Sequence, residues 1–201
     1  MVSIMLIKKM GIYISIVVFV FLLSGCGQAK GIPDSTSWEV GDFIYKNQNE
    51  ETVSLNDLKG KVWVANFIFT NCTTVCLPMT SNMTKLQMEL KEQGIEDVQL
   101  VSFSVDPTVD TPAVLKEYGD NYRADYSNWD FLTGYTQETI EQFAKESFKA
   151  IVMKPEDNDQ VTHGTSFYLV SQDGVVVKSY NGVSDFPTDE MIKHIKILQN
   201  Y

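Results

Sequence analysis

Residues 62–69, VWVANFIF, constrain this chain more than any other stretch. Apolar side chains fall at odd and even positions alike, so an extended strand here is apolar on both faces. Such a strand belongs in the middle of a sheet that is covered on both sides. Two cysteines follow at once in FTNCTTVCLPMT, Cys72 and Cys76, with three residues between them. Behind them Met79, Met83, Leu86 and Leu90 recur at steps of three and four, one face of a helix, and Gly94 closes the run. The cysteine pair therefore stands on a strand-to-helix turn.

The remaining pattern extends this unit. VQLVSFSV (98–105) reads as a second buried strand. TPAVLKEYGDNY (111–122) opens with Thr-Pro, a helix start, and ETIEQFAKESF (138–148) is amphipathic at helical spacing. TSFYLV and VVVKSY flank SQDG and predict a hairpin with an Asp-Gly turn. Residues 188–199 predict a last helix with Thr188 or Asp189 as cap. Upstream, β-like pieces at Phe43–Tyr45 and Thr52–Ser54 flank a turn at Asn47–Glu50. The order is hairpin, β-α-β-α, helix, then β-β-α, which indicates an α/β fold with a mixed sheet and helices on both faces. Crevices in such folds lie beyond the carboxyl ends of the central strands, where Cys72 and Cys76 fall.

Composition allows one domain with a sizeable core: 201 residues, 44% hydrophobic and 21% charged. The formal net charge is -10, and no Lys/Arg-rich block follows the first few residues, so nothing supports nucleic-acid binding. At the N-terminus Lys8 and Lys9 precede the apolar run GIYISIVVFVFLLSG, which ends at Cys26. The run is short for a membrane span and lacks the usual small-x-small cleavage site. Its end, LSGC, resembles a bacterial lipoprotein signal. That resemblance implies a signal peptide at 1–25 and lipidation of Cys26. A tether at 26–37, GQAKGIPDSTS after the cysteine, then leads to a domain at 38–201. The implied location is the cell membrane, lipid-anchored, with the domain on the extracytoplasmic side, where disulfides persist.

With Cys26 set aside, Cys72 and Cys76 are the remaining thiols of the three cysteines. A helix N-terminus favours thiolate over thiol, which serves both disulfide exchange and metal binding. The spacing permits either. A purely structural bridge would close a very small loop and stabilise little. The chain has two histidines. His194, late in the last helix, reads as a surface residue or a cation complementing the helix dipole. His163 precedes the strand of HGTSFYLV. Cys72, Cys76 and His163 together would give two soft thiolates and one imidazole, a set that suits copper better than zinc, which wants a fourth fixed ligand.

The stretches FIFTNCTTVCLPMT, LVSFSVDP, NWDFLTGY, FKAIV and HGTSFYLV resemble the Sco/SenC family of thioredoxin-like copper proteins, in its lipid-anchored Gram-positive form. The likeness spans roughly residues 38 to 198. It implies a thioredoxin-like fold, a central mixed sheet flanked by helices with an added N-terminal β-hairpin. It also implies copper, as Cu+ or Cu2+, carried by Cys72, Cys76 and His163, with Asp106 of the Asp-Pro pair supporting the site. The implied partner is the copper-centre domain of cytochrome c oxidase subunit II, served by copper delivery, by thiol reduction, or by both. The sequence departs from many relatives at Leu77, where they carry proline after the second cysteine. That leaves a Leu77 amide free to point toward a cysteine sulfur, and an adjusted thiol pKa or copper affinity is expected with the site intact.

Three other readings compete. An extracytoplasmic thiol-disulfide oxidoreductase without physiological copper would use Cys72 to attack and Cys76 to resolve, and would not need His163. A thiol peroxidase would need an arginine beside the nucleophile, and the single arginine, Arg123, follows a helix. A purely structural lipoprotein would leave the cysteine-histidine combination unexplained. Met79, Met83 and Met88 invite a reading as extra soft ligands, but two of them lie on the packing stripe, which favours core filling.

Overall fold

The structure, a computed structural model, describes residues 31–72 and 74–200. The signal at 1–25, Cys26 and the first part of the tether lie outside the described residues.

Six strands form the main sheet: β1 (Trp38–Glu39), β4 (Val62–Ile68), β5 (Val98–Ser104), β6 (Trp129–Leu132), β9 (Ser166–Val170) and β10 (Val175–Asn181), in the order β1-β10-β9-β4-β5-β6. β4 pairs parallel with β5 and antiparallel with β9, so the sheet is mixed, with β4 near its centre. Every residue of β4 is buried, as a strand apolar on both faces requires. Two small sheets flank this one. β2 (Ile44–Lys46) and β3 (Thr52–Ser54) make the N-terminal hairpin within a residue of its predicted place, and β7 (Val152–Met153) pairs with β8 (Thr162–His163).

The helices are α1 (Leu55–Leu58), α2 (Cys76–Glu92), α3 (Pro112–Asn121), α4 (Gln137–Phe148) and α5 (Thr188–Gln199). Met79, Met83, Leu86 and Leu90 of α2 are all buried, so the stripe read from the sequence is the packed face. Thr111 caps α3 by accepting from the Val114 amide, and Thr136 caps α4 by accepting from the Thr139 amide. Trp63 and Phe67, on one face of β4, meet Phe148 of α4 edge-on, and Phe103 of β5 and Phe43 before the hairpin join them. α5 lies against β4 as well, and its Lys196 and Gln199 reach Gln93 and Glu96 just beyond α2.

Several details differ from the sequence reading, the short strands β1, β7 and β8 among them. β6 adds a strand between α3 and α4; its Asp130 is satisfied by Asn47 and Gln99 side chains, which hides the strand behind a charged residue. The cap position of α5 is Pro187, and Thr188 is the first helical residue. Residues expected to end the tether pack on the domain. Ile32 is buried, and Thr36 bonds through its amide and hydroxyl to the Val177 and Val176 carbonyls. His194 is 2% exposed; its Nδ1 shares a 2.7 Å hydrogen bond with the Tyr180 hydroxyl, and burial lowers its pKa. It is a core histidine, because α5 turns this position onto β10 and not toward water.

Met83 is fully buried and Met88 is 57% exposed on the same helix. Met83→Ala should cost about 2–5 kcal/mol in urea unfolding, for the lost transfer energy plus a cavity. Met88→Ala should stay within about 0.5 kcal/mol.

Candidate metal centre

β4 ends at Ile68, and the chain turns through Phe69, Thr70 and Asn71 to Cys72 before α2 starts at Cys76. Because β9 runs antiparallel to β4, the residues that enter β9 arrive at the edge where β4 leaves. That reversal brings His163 to the cysteines from the far side of the chain. Its Nε2 lies 3.3 Å from Cys76 Sγ, and its ring meets the edge of Phe69. The two sulfurs and the imidazole nitrogen all lie within 4.8 Å of one another. For metal–sulfur bonds of about 2.3 Å, a single ion between them needs only small side-chain adjustments.

The tautomer of His163 follows from its neighbour. Nδ1 lies 2.9 Å from the Gly164 carbonyl oxygen, which can only accept, so Nδ1 carries the proton and Nε2 presents its lone pair toward the thiols. This is the form in which an imidazole ligates a metal.

The two thiols sit in unequal surroundings. Cys72, 8% exposed, precedes the first turn of α2, and its sulfur accepts from the Cys76 amide at 3.4 Å. Burial works against its ionisation. Hydrogen bonds, among them those from the Cys76 thiol and the Thr74 and Cys76 amides, outweigh that cost and bring its pKa down to about 5. Cys76 is fully buried. Burial pushes its pKa up, and the neighbouring Cys72 and the Asp110 charge push the same way. At neutral pH the pair is one thiolate and one thiol. The amide that reaches Cys72 Sγ is that of Cys76; Leu77, for which this role was expected, has a half-exposed side chain in the first turn of α2.

Asp106 is 2% exposed, at the end of β5. Its carboxylate accepts from Lys154 Nζ at 2.6 Å and Thr108 Oγ1 at 2.9 Å, so its partners are these groups and none of the three candidate ligands. The carboxylate that supports the cysteine turn is Asp110. It accepts from Thr70 Oγ1 and Ser104 Oγ, each at 2.6 Å, and from the Thr70 amide at 3.3 Å. Burial raises its pKa against those hydrogen bonds. The sequence signal for it was faint: a second aspartate four residues after Asp106, just before the Thr-Pro helix start. Arg123 shares a groove with Val98, the first residue of β5, which places it at the opposite end of the sheet from the thiols.

Chemically, two sulfurs and one imidazole nitrogen form a soft, three-donor set that fits copper, and the described residues offer no fourth His, Cys, Asp or Glu donor to the cluster. The same sulfurs are close enough in sequence and space to serve disulfide exchange.

Comparison with known proteins gives a match to the SCO1/SenC family model over residues 33–200. The fold is similar to that of a SCO1/SenC family lipoprotein from Bacillus anthracis, 49% identical, with a TM-score of 0.81 over 84% of this chain and 99% of that one. It is also similar to BsSco, described as a member of the Sco family of cytochrome c oxidase assembly proteins and as carrying a disulfide switch. That match is 53% identical, with a TM-score of 0.79 over 85% and 99% of the two chains. Arabidopsis thaliana ScoI with copper bound is 28% identical, with a TM-score of 0.67 over 80% and 98%.

The depressed pKa of Cys72 has a direct readout. Its alkylation rate in the reduced, metal-free protein should rise with pH through a midpoint near 5 and then level off. Peptide mass spectrometry over pH 4–9 would measure that midpoint. By linkage, a depressed folded-state pKa gives stability that is fully present above the ordinary thiol range and lost as pH falls through about 5.

Proposed function

The chain belongs to the SCO1/SenC family, and on that premise we propose that it is a membrane-tethered assembly factor that binds copper at Cys72, Cys76 and His163. Copper is cargo in this reading, passed to the dicopper centre in the subunit II domain of cytochrome c oxidase. The convergence of two thiols and one imidazole from opposite parts of the chain carries the proposal. Dithiol exchange has no use for a third donor with its lone pair turned toward the sulfurs. Thiolates suit Cu+, and the imidazole widens the set to Cu2+. The copper-bound Arabidopsis relative and the oxidase-assembly description of BsSco support the reading. Lipidation of Cys26 and an extracytoplasmic domain follow from LSGC and are supported by the lipoprotein relative from Bacillus anthracis.

The inequality of the thiols favours a second reading, reduction of a partner's disulfide. The Cys72 thiolate attacks one partner sulfur and releases the other as thiolate, leaving a mixed disulfide. Cys76 then loses its proton and displaces the partner from Cys72. The products are a reduced partner and a Cys72–Cys76 disulfide, two electrons having passed from this chain to the partner.

Anaerobic copper titration of the reduced full-length protein in detergent separates the two, followed by absorption and electron paramagnetic resonance. One tight copper per chain with sulfur-to-copper charge transfer is expected, and His163→Ala should weaken Cu2+ binding and change its spectrum. No stoichiometric binding would leave the oxidoreductase reading. Unchanged affinity and spectra in His163→Ala would remove the third ligand.

A further inference from the structure

His163 sits on the smallest sheet among the described residues. β7 and β8 are two residues each, paired Val152↔His163 and Met153↔Thr162, and neither strand joins the main sheet. A ladder this short is marginal by itself, yet it holds the His163 ring 3.3 Å from a buried sulfur. The residue after β7 is Lys154. Its amide donates to Glu141 of α4 at 3.1 Å, and its Nζ donates to Asp106 at 2.6 Å and Thr108 at 3.3 Å. Asp106 is itself fixed to the end of β5. Its amide donates to Ser104 Oγ, and its carbonyl accepts from the Val109 and Asp110 amides.

We propose that Lys154 is a positioning residue for His163: its ion pair with Asp106 pins the β7–β8 ribbon to the end of β5 and so holds the imidazole over the thiols. The inference rests on the copper reading for its functional meaning and on geometry for its substance. Asp106 is 2% exposed and Lys154 mostly covered, so the pair is shielded from solvent screening and breaking it leaves a buried charge. One further contact crosses from the ribbon loop to the cysteine turn, Gln160 Nε2 to the Asn71 carbonyl at 3.0 Å, and it is exposed. Of these two side-chain ties the Lys154 clasp is the more covered, and it adds to the packing of the buried Val152 and Val161. Releasing it lets the ribbon swing without disturbing the sulfurs, which are anchored by α2 and by the Asp110–Thr70 bonds. Cu2+, which draws on the imidazole, depends on the clasp; Cu+, served by two thiolates, does not.

The test uses full-length protein in detergent with labelled histidine, as wild type, Lys154→Met, Lys154→Arg, and the double variant Lys154→Met/Asp106→Asn. The double variant removes the buried unpaired charge should Lys154→Met alone fail to fold. In the reduced, metal-free state, magnetic resonance reads the contact between the His163 and Phe69 rings, while the Tyr180-bonded ring of His194 serves as internal reference. Lys154→Met and the double variant should lose the His163–Phe69 contact with His194 unmoved. They should bind Cu2+ about 10–100-fold more weakly with reduced imidazole nitrogen coupling, and keep Cu+ binding. Lys154→Arg should restore both. Retention of the His163–Phe69 contact in both Met variants would overturn the proposal. So would displacement of His194 together with His163, because the pair would then act on the whole fold. If the wild type bound no copper, the copper reading would fall, and the metal-free contact would still decide the clasp.

Discussion

The antiparallel pairing of β9 against β4 is the contact on which the rest of the site depends. Parallel pairing of β4 and β5 sends the exits of both strands to one edge of the sheet, delivering the Cys72 turn and the Asp106–Asp110 turn together. Reversing β9 at the same centre delivers the entrance of a strand nearly a hundred residues downstream to that edge, and His163 with it. Asp110 ties two of these arrivals together by accepting from Thr70 on one turn and Ser104 on the other. The site is therefore a property of the sheet register. A slip by one residue in β9 would turn its side chains to the other face.

Within that frame the sulfurs are distinguished by what surrounds them. Cys72 receives the amide hydrogen of Cys76, the first residue of α2, so the missing side-chain cap of that helix is replaced by a sulfur. Cys76 is the first residue of the helix, with its amide spent on Cys72 and its thiol against the His163 ring. A single proton shared unevenly between the two suits both chemistries open to the family: it can leave when a cation arrives or when a disulfide closes.

Much of this was legible in the sequence, for reasons that differ by element. The buried strand at 62–69, the methionine-leucine stripe and the Asp-Gly hairpin are local patterns, and local patterns survive folding. Cys72 and Cys76 were legible because a strand exit and a helix start flank them. Three features were not. β6 hides a buried aspartate whose partners, Asn47 and Gln99, lie far away in the chain. His194 looked like a helix-end cation because only tertiary packing puts Tyr180 beside it. Asp110 carried almost no signal, since which carboxylate faces the cysteine turn depends on how the β5–α3 loop folds back, through amides of Val109 and Asp110 bonded to the Asp106 carbonyl. His163 lies between these cases: its residue type signalled a ligand, but its proximity to the thiols required the sheet.

The graded burial of the two sulfurs, 8% against 0%, imposes an order on whatever passes through the site. An approaching group meets the half-buried His163 ring and Cys72, the sulfur with surface, before it can reach Cys76. The fully buried Cys76 sulfur is the donor that a rival ligand reaches last. The three donors thus differ in reach: two stand within reach of an incoming group and one is held beneath them.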